Sequence, residues 1–214
     1  MAEILVDART LETFLQRLGQ CFHHQAALYL VGGTSLLLAA GKMSTFDIDV
    51  QVQTENQHYS QFIRCLRTVS RDLGVPVELA SPEQFIPLPA GFQDRRQFVG
   101  RYGSLDVFHF DFYSIALAKV HRGNEKDFDD VVRMVQTGLI SITVLESYLE
   151  PTRPEYEYHQ PSAAPVRFLD RAKTVRVTAR QEDPDRIRPG RAHAWLPSTG
   201  QAGGVLSKVR DYPS

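Results

Sequence analysis

The stretch Phe46–Val52, which reads Phe-Asp-Ile-Asp-Val-Gln-Val, decides how the chain is interpreted. Apolar and polar residues alternate in it, and this predicts a β-strand, because successive side chains of a strand point to opposite faces. Asp47, Asp49 and Gln51 then share one face, while Phe46 and the other apolar residues face a core. Two carboxylates side by side on a strand repel each other. The arrangement is favourable where a hard divalent cation such as Mg²⁺ lies between them, and the alternative is the solvated face of an edge strand.

A Gly-Gly turn lies upstream of this strand. The apolar run Leu28–Val31 predicts a buried strand, and Gly32, Gly33, Thr34 and Ser35 follow it at the predicted start of a helix. Glycine lets the backbone approach a ligand closely, and the free amides of a helix N-terminus suit a phosphate. The two hydroxyls are further hydrogen-bonding groups. These residues predict a phosphate-binding turn, and the alternative is a tight turn with an N-cap.

Periodicity elsewhere in residues 1–150 predicts the remaining elements. Apolar residues at helical spacing predict a helix that begins at its N-cap Thr10. A hairpin closed by Gly103 and Ser104 is predicted for Gln97–Arg101 and Leu105–Phe110. The other predicted elements are a strand at Val77–Leu79 and helices at Thr34–Ala40, Tyr59–Leu73, Ser114–His121, Glu125–Gln136 and Thr143–Leu149. Interspersed strands and helices predict an α/β (α+β) class, a small mixed sheet with flanking helices.

Charge and proline content divide the chain near residue 150. Residues 151–214 carry 11 Lys and Arg against 7 Asp and Glu, a net charge of +4, and hold 8 of the 12 prolines. Because the whole chain has a net charge of −1, residues 1–150 carry −5. We therefore predict one domain over residues 1–150 and a flexible, basic, Pro-rich tail over residues 151–214.

Composition also bears on where the protein works. The near-neutral net charge gives no bulk attraction to nucleic acid or to an anionic membrane. The longest apolar stretch, Ala26–Ala40, is too short to span a bilayer, and the first residues lack a signal-peptide pattern. The chain has only two cysteines, Cys21 and Cys65, which lie far apart in sequence, and this excludes a disulfide-rich scaffold. Both are predicted to be core residues. We therefore expect a soluble, cytoplasmic protein that does not bind membranes.

The Gly-Gly turn and the Asp-x-Asp strand together resemble the signature of the DNA-polymerase-β-type nucleotidyltransferase superfamily. In that family a Gly-Gly or Gly-Ser turn opens a helix and an Asp-x-Asp strand follows. The resemblance implies that residues 32–35 hold the triphosphate of a nucleoside triphosphate and that Asp47 and Asp49 bind Mg²⁺. The family often carries an arginine just before the Ser or Thr that precedes its Asp-x-Asp segment. Here the nearest base is Lys42, shortly before Ser44, and we assign it to nucleotide binding.

Residues further along the chain resemble the helical part of small bacterial nucleotidyltransferases, some of which are toxins in toxin–antitoxin pairs of the abortive-infection type. The matching residues are Lys119, Arg122 and the segment Lys126–Val131, which contains Asp127 and Asp130. The resemblance implies catalytic roles for Lys119 and Asp127, and nucleotide binding by Arg122. It also implies an RNA acceptor, tRNA included, and a cognate antitoxin. From spacing alone, the two bases suit a helix end and the acids suit a solvated face equally well.

The full family has a third carboxylate on a neighbouring strand, and two residues are candidates for it. Asp106 shares its predicted strand face with Phe108 and Phe110, which suits an isolated acid at the edge of a site. Asp111 directly precedes a predicted helix, where it is expected to serve as a cap. We therefore favour Asp106 as the third catalytic and metal-binding carboxylate, and Asp111 as a structural residue.

These residues predict metal-dependent transfer of a nucleotide to an acceptor hydroxyl. One Mg²⁺ would activate the hydroxyl, another would neutralise the leaving pyrophosphate, and Lys119 and Arg122 would offset charge in the transition state. Two other functions stay open at this point. One is a non-catalytic protein that binds a nucleotide or a partner on the same fold, and the other is an enzyme that modifies a small molecule.

Overall fold

A computed structural model describes residues 5–149 of the chain, and the predicted tail lies outside the described residues. Five strands in this part of the chain form one mixed sheet in the order β3-β2-β1-β5-β4. The strands are β1 (Ala26–Leu30), β2 (Ile48–Thr54), β3 (Val77–Leu79), β4 (Gln97–Tyr102) and β5 (Leu105–His109). The helices are α1 (Ala8–Cys21), α2 (Gly32–Ala39), α3 (Asn56–Leu73), α4 (Phe112–Arg122), α5 (Glu125–Gln136) and α6 (Ile142–Leu149). The predicted mixed sheet with flanking helices is therefore confirmed.

Strand pairing fixes which side chains lie beside one another. The central strand β1 runs antiparallel to β2 and parallel to β5, and β3 adds to β2 in the parallel sense. In this register Tyr29 lies between Gln51 and Phe108. At the edge, Asp49 of β2 lies beside Glu78 of β3. Paired residues point to the same face, so these pairings place side chains of distant segments in common rows.

Apolar layers cover both faces of the sheet. One layer joins the sheet to α1 and α3, and it includes the fully buried Ile48 and Val50 of β2. The other layer joins the sheet to α4, α5 and α6. Since side chains alternate along a strand, Asp49 and Gln51 point to the α4–α6 side.

Several predicted element boundaries were wrong by two or three residues, since β1, α2, α3 and α4 each begin two or three residues earlier than predicted. Asp7, not Thr10, is the N-cap of α1, and its carboxylate accepts a hydrogen bond of 2.7 Å from the Thr10 amide. The strand β2 begins at Ile48, two residues later than predicted, so Phe46 lies before the strand. Its side chain is 44% exposed rather than in the core. The hairpin of β4 and β5 and the bounds of α5 agree with the predictions.

Cys21 and Cys65 form a disulfide that joins the end of α1 to α3, with 5.7 Å between their Cα atoms. The predicted core position holds for the buried Cys65, whereas Cys21 is partly exposed. The pairing itself was not predicted, because it depends on how two helices far apart in sequence pack. Every helix within residues 5–149 is too short or too polar to cross a bilayer.

Candidate active site

Three carboxylates come together at the edge of the sheet on its α4–α6 side. Asp47 directly precedes β2, Asp49 lies within it, and Glu78 lies beside Asp49 on β3. One oxygen from each of the three lies within 4.8 Å of the others. Oxygen donors at this spacing suit a hard divalent cation.

The electrostatics of Asp49 fit such a cation. Burial, and after it the negative charges of Asp47 and Glu78, raises the pKa of Asp49 to about 6. The positive charges of Lys119 and Arg122 act in the opposite direction. A buried carboxylate that is costly to ionise gains most from a bound cation, because the cation offsets both burial and repulsion.

Sequence reasoning missed Glu78. The strand Val77–Leu79 was predicted correctly, and its central residue is an acid flanked by apolar residues. That pattern shows that Glu78 faces away from its two neighbours. It does not show that β3 pairs with β2, and it is this pairing that brings Glu78 to Asp49.

The Gly-Gly turn packs directly against the acidic cluster. Gly32 has a left-handed φ of +53°, and a Cβ at this position would collide with the Asp49 carboxylate. No side chain within residues 5–149 caps the start of α2. The backbone amides at this helix start therefore lie beside the carboxylates, and free amides at a helix start suit an anion.

The hydroxyls of Thr34 and Ser35 have internal partners. Thr34 Oγ1 accepts a hydrogen bond of 2.8 Å from the Asp49 amide and donates one of 3.3 Å to the Asp47 carbonyl. The Ser35 hydroxyl lies 2.8 Å from His109 Nδ1, and burial lowers the pKa of His109 to about 4. Both side chains are fully buried. They fix the turn to β2 and β5. The two hydroxyls are therefore engaged within the protein, whereas the resemblance implied that these residues hold the nucleotide.

Five charged side chains form a chain of ion pairs that we call the charge ladder, in the order Lys42, Asp130, Lys119, Asp127 and Arg122. The successive contacts are 2.8, 2.7, 2.9 and 2.8 Å long. The side chain of Lys119, at the centre, is 4% exposed, while those of Lys42 and Arg122, at the ends, are 21% and 41% exposed. The ladder joins α4 and α5 to the segment after α2.

Lys42 brings one end of the ladder to the Gly-Gly turn. A Cβ at Gly33 would lie 3.2 Å from Lys42 Nζ and 2.7 Å from Thr45 Oγ1. Glycine at position 33 therefore lets the lysine and the turn approach each other. The Lys42 ammonium therefore lies beside the start of α2.

Lys119 and Asp127 are both buried inside the structure. The Lys119 ammonium donates to Asp127 and Asp130 inside the ladder, and both acids are buried. Neither acid lies on a solvated face, which was the alternative at the sequence level. The contacts of Lys119 are those of a residue that positions its neighbours.

The structure does not bring Asp106 to the other two aspartates. Asp106 lies in the row of Ala27 and Gln53, two same-face positions away from Asp49 towards the other end of β2. Its carboxylate accepts two hydrogen bonds from Arg101, of 2.6 and 3.0 Å. The face of β5 was predicted correctly, but alternation along one strand says nothing about the register between strands.

Asp111 has the structural role that the sequence predicted. It is the N-cap of α4, where its carboxylate accepts hydrogen bonds from the Tyr113 and Ser114 amides. Arg95 donates two further hydrogen bonds of 2.9 Å to the same carboxylate.

The fold and this site define a nucleotidyltransferase, with an Asp-x-Asp segment beside a glycine turn at the edge of a mixed sheet. Residues 9–172 match the model of a family described as a nucleotidyltransferase of unknown function (DUF6036), and the chain belongs to that family. A comparison with curated proteins and one with solved structures each found no match. Nucleotidyltransferases act on nucleoside triphosphates and generally use divalent metals, which agrees with the carboxylate cluster.

Proposed function

We propose that this chain transfers a nucleotide from a nucleoside triphosphate to an acceptor hydroxyl, with Mg²⁺ held by Asp47, Asp49 and Glu78. The observation that carries the proposal is the cluster of three carboxylates within 4.8 Å of one another, in a member of a nucleotidyltransferase family. A donor set made only of oxygen favours Mg²⁺ over softer metals. The raised pKa of Asp49 supports a cation at the same place.

Each part of the site has a task in this proposal. Mg²⁺ at the carboxylates supplies charge neutralisation for the triphosphate and acidity for the attacking hydroxyl. The uncapped amides at the start of α2 bind phosphate oxygens beside Gly32 and Gly33. Lys42, the end of the charge ladder that lies at Gly33, contributes positive charge to the phosphates, and Arg122, at the other exposed end, binds the nucleotide further along the ladder.

Lys119 and Asp127 help to hold these two cations in position from inside the protein. Lys119 binds Asp130, which holds Lys42, and it binds Asp127, which holds Arg122. A buried lysine between two buried acids fixes their carboxylates, and through them both terminal cations. We therefore propose Lys119 and Asp127 as positioning residues, in place of the direct catalytic roles that the resemblance implied.

We further propose an RNA acceptor, tRNA included, and action as the toxin of a toxin–antitoxin pair with a cognate antitoxin protein. This part rests on the resemblance of Lys119, Arg122 and residues 126–131 to toxin nucleotidyltransferases. We also propose that residues 1–150 form the catalytic domain and that residues 151–214 are an appendage to it. The family match extends to residue 172, past that boundary.

A labelling experiment tests the proposed transfer. Purified protein is incubated with each labelled nucleoside triphosphate, Mg²⁺ and total RNA, and the products are separated on a gel. We expect labelled RNA with at least one nucleotide, and no label with Asp47→Asn, which is nearly isosteric but lacks the charge. Asp106→Asn is the matched control and should label as the wild type does. Absence of label on any RNA would contradict the RNA acceptor, and absence of transfer to protein or small molecules as well would contradict the enzyme.

A further inference from the structure

Two exposed phenylalanines flank the turn between α4 and α5, and each has a cation against its ring. The guanidinium carbon of Arg122 lies 5.5 Å from the centre of the Phe85 ring, and Lys126 Nζ lies 4.0 Å from the centre of the Phe46 ring. The exposed fractions of Phe85 and Phe46 are 42% and 44%. A single exposed aromatic residue needs no explanation. The position of Phe85, however, connects it to the candidate site.

The segment Ser81–Ile86 follows β3 and contacts the side of the sheet that carries the carboxylates. At its start, the Ser81 hydroxyl donates a hydrogen bond of 3.4 Å to Gln51, the next residue after Asp49 on that face of β2. At its end, Ile86 is buried in the apolar layer of α4, α5 and α6. The segment is therefore anchored at both ends, and it holds Phe85 over the same face as the carboxylates.

The two ends of the charge ladder lie at different parts of the candidate site. Its Lys42 end lies at Gly33, where the proposed function places the phosphates. Its other end is Arg122, which lies against Phe85. A nucleotide whose phosphates lie at the Lys42 end and whose base extends along the ladder has that base directed towards the Phe85 end.

From this geometry we infer that Phe85 is the stacking surface for the base of the bound nucleoside triphosphate, an inference that rests on the proposed function. Phe85 presents an exposed aromatic face, and Arg122 beside it presents a flat guanidinium held in place by Asp127. Bases stack on both kinds of surface. Both rings are exposed to a similar extent, but the Lys126 ammonium lies 4.0 Å from the centre of the Phe46 ring, closer than the Arg122 guanidinium carbon lies to the Phe85 ring, at 5.5 Å.

Two ligands separate base binding from phosphate binding. Wild-type protein and variants are titrated, at fixed Mg²⁺ and salt, with a nucleoside triphosphate and with inorganic triphosphate, which has no base. We expect Phe85→Ala to weaken nucleoside triphosphate binding roughly five- to a hundredfold, the range of stacking on an aromatic side chain. Affinity for inorganic triphosphate should not change. Phe85→Trp should restore nucleoside triphosphate binding, whereas Phe85→Leu, which keeps apolar bulk without an aromatic ring, should not.

Phe98→Ala is the matched control, because Phe98 is a 59% exposed phenylalanine on β4, away from the ladder. It should bind both ligands as the wild type does. Unchanged nucleoside triphosphate binding by Phe85→Ala would overturn the inference and leave the proposed function standing. Equal loss of both ligands, or loss in Phe46→Ala with none in Phe85→Ala, would also overturn it. A wild type that binds inorganic triphosphate but gains nothing from a base would refute the stacking surface, and one that binds neither ligand would refute the proposed function too.

Discussion

The two sides of the sheet use different chemistry. The side covered by α1 and α3 is an apolar layer, with Phe14, Phe22 and Phe62 fully buried and a disulfide between the two helices. The side covered by α4, α5 and α6 buries charge, because Lys119 and the two acids that it binds lie inside. Apolar packing stabilises a fold without directing charge, whereas buried ion pairs contribute little net stability. The difference indicates that the α4–α6 side is built around the site.

The largest expected effect comes from breaking the ladder at its centre. Lys119→Met removes the buried cation that Asp127 and Asp130 share and leaves each acid only its more exposed partner, Arg122 or Lys42. Removing one partner of a buried ion pair costs about 3–5 kcal/mol in the free energy of unfolding. Phe14→Ala on the other side should cost about as much, through lost packing. Urea denaturation measures both losses. Only Lys119→Met should also weaken nucleotide binding by the folded protein, since only that change frees the carboxylates of Asp130 and Asp127, which hold Lys42 and Arg122.

A matched surface variant sharpens this test. Arg101→Met breaks the exposed pair with Asp106 and should change the free energy of unfolding far less than Lys119→Met does, because exposed ion pairs contribute little. If Lys119→Met were as mild as Arg101→Met, Lys119 would not be the buried centre of the ladder. If Lys119→Met lowered the free energy of unfolding less than expected but abolished transfer, the result would support the direct catalytic role that the resemblance implied for Lys119.

The disulfide gives the α1–α3 side a separate means of stabilisation. It closes a loop over a sequence separation of 44 residues. In the chain-entropy account, a loop of this length contributes about 2–4 kcal/mol. The double variant Cys21→Ser, Cys65→Ser, or treatment with a reductant, should lower the melting temperature and leave Mg²⁺-dependent nucleotide affinity unchanged at 25 °C. Loss of that affinity would mean that the two sides are coupled.

Groups on the two sides should also make the free energy of unfolding depend on pH with opposite signs. His109, which faces the α1–α3 side, has its pKa lowered from 6.5 to about 4 by burial, so stability should fall as pH drops from about 6.5 to 4. Asp49 has its pKa raised from 3.8 to about 6, so in the metal-free protein its contribution should fall as pH rises from about 4 to 6. Urea titrations in the presence of a chelator should show both effects. His109→Gln should remove the first and Asp49→Asn the second.

Local sequence patterns predicted part of the site. Asp47 and Asp49 could be assigned to one face because strand alternation depends only on neighbouring residues. The cap at Asp111 and the hairpin of β4 and β5 are local in the same way, and both were correct. The start of β2 was placed too early because Phe46 continues the alternation, although the strand begins at Ile48.

The rest of the site depends on contacts between segments far apart in sequence. Glu78 and Asp106 both lie on strands and both are acidic, and only the pairing of β3 with β2 distinguishes them. The charge ladder could not be predicted from the sequence for a similar reason. Asp127 and Asp130 have the spacing of a solvated helix face, and nothing in α5 alone shows that Lys119 of α4 packs against them.

The central claim is that Glu78, and not Asp106, completes the metal site with Asp47 and Asp49. The most direct measurement is a Mg²⁺ titration of nucleoside triphosphate binding by Glu78→Gln and Asp106→Asn, two variants that each replace one acid with its amide. We predict that Glu78→Gln raises the Mg²⁺ requirement at least tenfold, since even outer-shell partners of a metal contribute roughly 10- to 100-fold. Asp106→Asn should follow the wild-type curve. A shifted curve for Asp106→Asn together with a wild-type curve for Glu78→Gln would contradict the account.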